Sequence, residues 1–218
     1  DLAIAYVDIT IPNERGVMLT LADGEKVVVG NEKREVIFEK TGNVNIKQEG
    51  RNELVYENVK ISEKRNVEEE AMNEITVPAG ERVSIILSDG TKVWLNSESA
   101  IRYPVRFGIG KRVVTVKGNV YFEVTKDVSR PFFVVMKDME TEVLGTSFEV
   151  NTYGDHGEIY MALVEGCVRV RSGNHVVVAK PNEQVALDLE SRKISTKEVD
   201  AARLVAWKDG VLMIKNEP

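Results

Sequence analysis

Apolar residues in this chain alternate with polar ones at a period of two, in short runs that end at glycine, asparagine or Asp-Gly pairs. A β-strand turns successive side chains to opposite faces, whereas a helix brings every third or fourth residue to one face. A period of two therefore indicates half-buried strands. We predict an all-β fold built from many short strands joined by tight turns.

Two segments resemble each other, and each has the pattern of a β-hairpin: residues 17–29 (VMLTLADGEKVVV) and 83–95 (VSIILSDGTKVWL). Placing the apolar residues of the second copy on one face pairs 83 with 95, 85 with 93 and 87 with 91, which leaves the loop 88–90. A two-residue turn would shift the register and scatter the same side chains over both faces. Three-residue loops usually end in a left-handed residue, so we expect a positive φ at Gly90 and, by the same register, at Gly24.

The densest strand pattern extends from residue 75 to 194, and its short turns favour a jelly-roll-like β-sandwich. Its candidate strands are 113–117, 120–125, 132–136, 142–150, 159–164, 168–171, 176–179 and 185–189. Gly145-Thr146 interrupts one of them, where we expect a bulge or bend. Weaker strand patterns precede this region at 36–38, 44–46 and 54–59, and the charged stretch 63–70 reads as a solvated loop.

The end of the chain changes character, since residues 199–207 have the composition of a short helix and 210–215 that of one further strand. The chain stops at Pro218 with nothing evident for that strand to pair with, and it opens on Asp1, which is not an initiator residue. We therefore expect an excised or processed fragment. The expected division is an N-terminal β extension packed on the core (1–74), the sandwich core (75–198), and a helical linker with the first strand of a truncated domain (199–218).

Composition limits the classes of function. The chain has 218 residues, 43% of them hydrophobic and 29% charged, which predicts a soluble globular fragment with a substantial core. Its net charge of −6, with basic residues interspersed among acidic ones, argues against a nucleic-acid partner. No apolar run is long enough for a membrane-spanning helix. The single cysteine, Cys167, excludes an intramolecular disulfide.

The residues that could support catalysis do not form a recognisable constellation. His156 and His175 are far apart in turn-like sequence, whereas a cupin metal site gathers several closely spaced histidines. Cys167 has no evident histidine or electropositive partner and is expected in a strand without a chemical role. Spacing alone leaves open a glycosidase-like carboxylate pair, such as Glu123 with Glu149. We predict no catalytic, cofactor-binding or metal-binding residues, and hence no enzyme.

Two tryptophans are the candidate interaction residues. Trp94 shares a hairpin face with Ser84, opposite the apolar face, so it could stack on a sugar, contact a neighbouring domain or pack under a second layer. Trp207 lies at the end of the expected helix and is expected to anchor that helix to the sandwich. A carbohydrate-binding sandwich that uses Trp94 is the main alternative function.

A series of motifs resembles the FecR domain, in order and at family-like spacing from about Ile75 to Gly210. The matching strings are PAGER (78–82), LSDGTKVWLN (87–96), Ser99, YP (103–104), RVV (112–114), GNVYFEV (118–124), RPFFV (130–134), VLGTSFEV (143–150), VEGCV (164–168) and AWKDG (206–210). The upstream hairpin resembles an extension found in FecR-like proteins of Bacteroidetes. Asn119 stands where the family usually has Glu, and Asn182 where it usually has Gly, both expected at turn or surface positions.

The resemblance implies a role in signalling. FecR-like proteins are single-pass inner-membrane anti-sigma factors whose short cytoplasmic part binds an extracytoplasmic-function sigma factor. Their periplasmic part receives a signal from a TonB-dependent outer-membrane receptor. By that resemblance the chain is the periplasmic relay module, lacking both the cytoplasmic part and the C-terminal domain that meets the receptor's signalling domain. We expect a rigid sandwich with signalling confined to its junctions.

Overall fold

A computed structural model of the chain describes residues 4–11, 16–30, 37–39, 44–49, 52–58, 71–154 and 157–210. These residues form two β-sheets and one short helical segment, so the predicted all-β sandwich with a short C-terminal helix is confirmed.

The first sheet contains β1 (Val17–Thr20), β2 (Lys26–Val29), β6 (Met72–Val77), β9 (Ser99–Pro104), β10 (Arg112–Lys117), β12 (Phe132–Val135), β13 (Glu140–Val143), β16 (Val168–Ser172) and β17 (His175–Ala179). The second sheet contains β3 (Ile37–Glu39), β4 (Val44–Glu49), β5 (Glu53–Asn58), β7 (Val83–Ile86), β8 (Lys92–Leu95), β11 (Asn119–Glu123), β14 (Ser147–Asn151), β15 (Glu158–Glu165), β18 (Glu183–Asp188) and β19 (Ile194–Glu198).

The chain passes back and forth between the two sheets while it advances along both. The first sheet has the order β2-β1-β6-β9-β10-β12-β13-β16-β17, and the second has β3-β4-β5-β7-β8-β11-β14-β15-β18-β19. Neighbouring strands are antiparallel except for the parallel pairs β5 with β7 and β10 with β12. Strands from the first 74 residues join both sheets, while the predicted domain boundaries themselves stay a prediction.

The two sheets meet in one apolar core. Phe122 and Phe148, on neighbouring strands of the second sheet, stack with ring centroids 5.2 Å apart. Phe132 reaches the same cluster from the first sheet, 6.1 Å from the ring of Phe122. Alternation thus fills the interior with every second side chain, as the period of two requires.

Both hairpins have the predicted register. Val17 faces Val29 in the first copy, and Val83 faces Leu95 in the second. Gly24 and Gly90 have φ values of 88° and 84°, as expected for the left-handed position that closes a three-residue loop.

The second hairpin is also tied to the first sheet by a buried ion pair. Nη1 of Arg112, at the start of β10, lies 2.7 Å from Oδ2 of Asp89, and both side chains are almost fully enclosed. The same guanidinium donates to the carbonyl oxygens of Thr125 and Arg130, at 2.9 Å each. Asp89 also accepts bonds from the backbone N–H and the hydroxyl of Thr91. This network joins the two sheets at one end of the sandwich.

The prediction of one strand over 142–150 is wrong. β13 ends at Val143 in the first sheet, and β14 begins at Ser147 in the second. The chain crosses between them at Gly145, whose φ is 154° and whose Cα approaches Lys126 so closely that an added Cβ would lie 2.6 Å from the Lys126 Cα. The expected bend is therefore a change of sheet. The sequence patterns also do not single out β9 or β19.

The helix predicted over 199–207 is shorter and interrupted. Helix α1 spans Ala201–Leu204 and is capped by Asp200, whose carboxylate accepts the N–H of Arg203 at 3.1 Å. A 3₁₀ turn, Ala206–Asp209, follows and ends at Gly210, with a φ of 76°. The strand predicted over 210–215 and the loop over 63–70 fall largely or wholly outside the described residues.

A candidate functional site on the outer face of the second sheet

The outer face of the second sheet carries a row of side chains that continues across neighbouring strands. Trp94 on β8 faces Tyr121 on β11, Tyr121 faces Glu149 on β14, and Glu149 faces Ala162 on β15. The residues that alternate with them point into the core, so this row lies on the side away from the first sheet.

Residues 201–210, here called the C-terminal segment, cross this row. Helix α1 packs on β15, where Ala162 is fully buried and its small side chain permits a close approach. Ala201 and Val205 supply the apolar contacts of the segment and are also buried. The segment therefore covers a face that a two-layer sandwich would otherwise expose to solvent.

Trp207 fixes the segment to the sheet through a buried carboxyl group. Its indole Nε1 donates to Oε1 of Glu149 at 2.8 Å, and Nδ2 of Asn119 donates to the same oxygen at 2.8 Å. Glu149 is 1% exposed. Within the described part of the chain, Oε2 of Glu149 and Oδ1 of Asn119 are buried without a hydrogen-bond partner.

Burial governs the protonation of this group. Removal from water raises the pKa of Glu149 to about 7, although the hydrogen bonds from Trp207 and Asn119 oppose the shift. No ion pair reaches Glu149 among the described residues. The carboxyl thus changes charge near neutral pH, directly beneath the C-terminal segment.

Cationic side chains hold the rest of the segment. Nζ of Lys208 lies over the rings of Trp94 and Tyr121, 5.6 and 5.5 Å from their centroids, and pairs with Asp209 at 2.8 Å. Nη1 of Arg82 donates to the carbonyl oxygen of Trp207 at 3.1 Å. These contacts are partly exposed cation–π and polar contacts, each of which contributes little alone.

The structure brings the two predicted interaction residues to the same face. Trp94 is half-buried beneath the C-terminal segment, beside Tyr121 at a centroid distance of 5.5 Å. Trp207 lies in the 3₁₀ turn and contacts Glu149 on β14, two strands away from Trp94. Asn119 was expected at a turn or surface position, and this is wrong: it is the first residue of β11 and is buried, with its amide donating to Glu149. Asn182 was also expected at a turn or surface position, and it lies exposed in a turn with a φ of 64°.

The carboxylate pair considered from the sequence, Glu123 and Glu149, lies on the same outer face at diagonal positions of β11 and β14. Glu149 is closed off by the segment, whereas Glu123 is half-buried and pairs in register with Ser147. Burial and the neighbouring Glu123 raise the pKa of Tyr121 to about 12, so that its hydroxyl keeps its proton. Cys167 is exposed in the turn between β15 and β16, not within a strand.

His175 is exposed at the first position of β17, and His156 lies outside the described residues. In the ranges that the structure describes, no group of three or more His, Cys, Asp or Glu side chains could hold a metal ion. Over the same ranges, no helix has the length and apolar character needed to cross a membrane.

Comparison with known proteins identifies the family of the chain. The family described as FecR protein matches residues 73–169. Two crystal structures from Parabacteroides distasonis ATCC 8503, at 2.50 and 1.65 Å resolution and each assigned as an anti-sigma factor, are 34% identical to it with a TM-score of 0.62. They cover 64% and 66% of this chain, which spans 65% and 68% of theirs. A comparison with curated proteins gave no match. The motifs, the fold and these similarities agree, and the chain belongs to the FecR family.

Proposed function

We propose that the chain is the periplasmic signal-relay module of an anti-sigma factor. In this proposal it couples a TonB-dependent outer-membrane receptor to the release of an extracytoplasmic-function sigma factor. The family is regulatory and not enzymatic in kind, and the relatives assigned as anti-sigma factors support the same role. The observation that carries the proposal is the docking of the C-terminal segment through Trp207 and Glu149.

The segment has the physical properties of a movable contact on a rigid support. The strands beneath the segment are held on both sides by continuous ladders of backbone hydrogen bonds. The segment itself consists of two short helical turns and is attached to the sheet by side-chain contacts. Elements that lack ladder hydrogen bonds open at lower free-energy cost than the core that supports them. A pull on the chain beyond residue 210 would therefore move the segment before it disturbed the sandwich.

The remaining partners follow from the family. The sigma factor would bind a cytoplasmic part joined to this module through a single inner-membrane helix. The receptor's signalling domain would act mainly on a domain that follows the C-terminal segment. Trp94 and Trp207 would serve as the internal interaction residues whose contact changes when the receptor is occupied.

The carbohydrate-binding alternative finds no specific support. A sugar-stacking platform needs an open aromatic face, but Trp94 packs against Tyr121 and lies beneath the ammonium group of Lys208. We therefore retain the relay as the proposed function.

A reporter for sigma-dependent transcription tests the proposal in cells that carry the intact membrane protein. We expect Trp207→Ala to make transcription independent of the inducer, because the segment is no longer fixed to the sheet. Glu190→Ala, an exposed position away from the segment, is the matched control and should respond normally. An unchanged inducer response from Trp207→Ala, at wild-type protein level, would refute the proposed role of this contact.

A further inference from the structure

The first sheet ends in an apolar strand without a described neighbour on its outer side. β17 forms this edge and reads HVVVA. Val176 and Val178 are 53% and 58% exposed, while Val177 between them is partly buried against the core. Two valines exposed on the same face of one edge strand are unusual, because proteins normally protect such edges with charge, proline or a covering element.

Two other edge strands, β19 and β2, have that protection to a greater degree. β19, at the corresponding end of the second sheet, reads ISTKE and exposes polar and charged side chains. β2, at the far end of the first sheet, carries Lys26 beside a single exposed valine, Val28. β17 contains no Asp, Glu, Lys or Arg, and Pro181 follows only after the strand has ended.

The backbone of β17 presents a defined set of free groups. A two-residue turn, residues 173–174, joins it to β16, and Ser172 faces His175 across that turn. Such a turn closes on a hydrogen-bonded pair, after which bonded and non-bonded pairs alternate. Val177 therefore bonds to β16, whereas the N–H and C=O groups of Val176 and Val178 point to the open edge.

Each exposed valine of β17 faces an arginine on β16, and one of these two arginines is paired within this chain. Across the outer face, Val178 is followed by Arg169 on β16 and then by Glu142 on β13. Nη1 of Arg169 lies 2.8 Å from Oε2 of Glu142. Arg171, which faces Val176, forms no ion pair among the described residues, so a basic partner strand would be repelled here. A strand that is itself apolar fits against the exposed valines without placing a charge opposite them.

We propose that β17 pairs antiparallel with β17 of a second copy of this chain, with Val177 on the two-fold axis. Val176 then faces Val178 of the second copy, and the reverse. The free N–H and C=O groups of both residues in both copies are satisfied by four backbone hydrogen bonds. The same patch serves both subunits, as a two-fold dimer requires, and the exposed valines cover one another.

The pairing is short, so the dimer is weak. The turn at one end and Pro181 at the other limit the contact to about five residues, because proline lacks the N–H that a ladder needs. Such a contact buries less than the roughly 1,000 Å² of a stable interface. We expect a dissociation constant of about 0.1–1 mM.

Sedimentation equilibrium of the 218-residue chain, from about 20 μM to 2 mM, tests the inference. We expect a monomer at the low end and a growing dimer fraction at the high end. Val176→Lys combined with Val178→Lys places like charges directly opposite each other and should weaken the dimer at least tenfold. Val28→Lys, on the opposite edge of the same sheet, is the matched control and should dimerise as the parent does.

Circular dichroism and thermal unfolding of each variant establish that the sandwich is intact. A monomer throughout the concentration range would overturn the inference and favour a strand from another protein as the occupant of this edge. A dimer that persists in the double lysine variant would overturn it equally, because the contact would then lie elsewhere.

Discussion

The indole N–H of Trp207 donates to Oε1 of Glu149 over 2.8 Å, a contact between residues 58 positions apart in the chain. It joins the last described turn to a central strand of the second sheet. Because Glu149 is buried and its second oxygen has no partner among the described residues, the contact holds a carboxyl group in a place that disfavours its charged form. The attachment of the C-terminal segment is therefore linked to the protonation of Glu149.

We expect this linkage to make stability depend on pH. The folded-state pKa of Glu149 is about 7, against 4.5 for an exposed glutamate, so the folded protein binds the proton more tightly. The contribution of the protonated Glu149 to folding stability is complete below about pH 4.5. It is lost as pH rises through 7, which lowers the free energy of unfolding by up to about 3 kcal/mol. Glu149→Gln should match the parent at low pH and exceed it at pH 8. Urea unfolding at both values measures this, and equal pH slopes in the two proteins would contradict it.

Trp207→Phe keeps an aromatic ring but removes the donor to Glu149. We expect the C-terminal segment to open more easily by about 1–3 kcal/mol, because a buried acceptor loses one of its two hydrogen bonds. Hydrogen exchange at the amides of Leu204 and Val205, which bond within α1, measures the opening. Trp94→Phe is the matched control, since the described contacts of Trp94 are made by its ring. Equal exchange in both variants would contradict the prediction.

The hairpins show how far local pattern determines this fold. The alternation around Asp89-Gly90 specifies register, loop length and the positive φ of Gly90, because all three follow from keeping one face apolar. The change of sheet at Gly145 is different: Gly145-Thr146 predicts a bend, but apolar residues continue on both sides of it, and nothing in the pattern tells a bend within one strand from a crossing to the other sheet. Pattern thus identifies strands more reliably than it assigns them to sheets.

The candidate site depended on contacts that no local pattern contains. Glu149 alternates with core residues and would be placed on an exposed face by that rule, but the C-terminal segment covers it. Arg112 is fully buried for a similar reason, because its partner Asp89 is supplied by a distant hairpin. The resemblance indicated the family, and tryptophans at 94 and 207 indicated the face, but not the buried carboxyl between them.

The two Asp-Gly hairpins permit a matched test of the buried ion pair. Asp89→Asn leaves the guanidinium of Arg112 enclosed without its counter-charge, which should cost about 3–5 kcal/mol. Asp23 is exposed, and its described hydrogen bond is from the N–H of Glu25, at 2.9 Å, which asparagine can also accept. Asp23→Asn should therefore change stability by less than about 0.5 kcal/mol. Chemical denaturation of both variants gives the comparison, and similar losses would show that the pair contributes little.

Gly118 connects the packing of the sandwich to the candidate site. It lies in the turn between β10 and β11, with a φ of 90°, and an added Cβ would stand 2.6 Å from the Cα of Ser99. Gly80 has a similar φ of 83° but open space around it, so Gly80→Ala should cost only the roughly 1–2 kcal/mol of a left-handed alanine. Gly118→Ala should cost about 1–3 kcal/mol more, because the backbone of a neighbouring strand must move.

That displacement would also reach the C-terminal segment, since the next residue, Asn119, donates to Glu149. We therefore expect Gly118→Ala to increase hydrogen exchange at Leu204 and Val205 under conditions where the sandwich remains folded, and Gly80→Ala to leave it unchanged. Equal exchange in the two alanine variants would mean that Asn119 keeps its position independently of this turn. Accelerated exchange in Gly118→Ala alone would show that the packing of the two sheets sets the strength of the contact between Trp207 and Glu149.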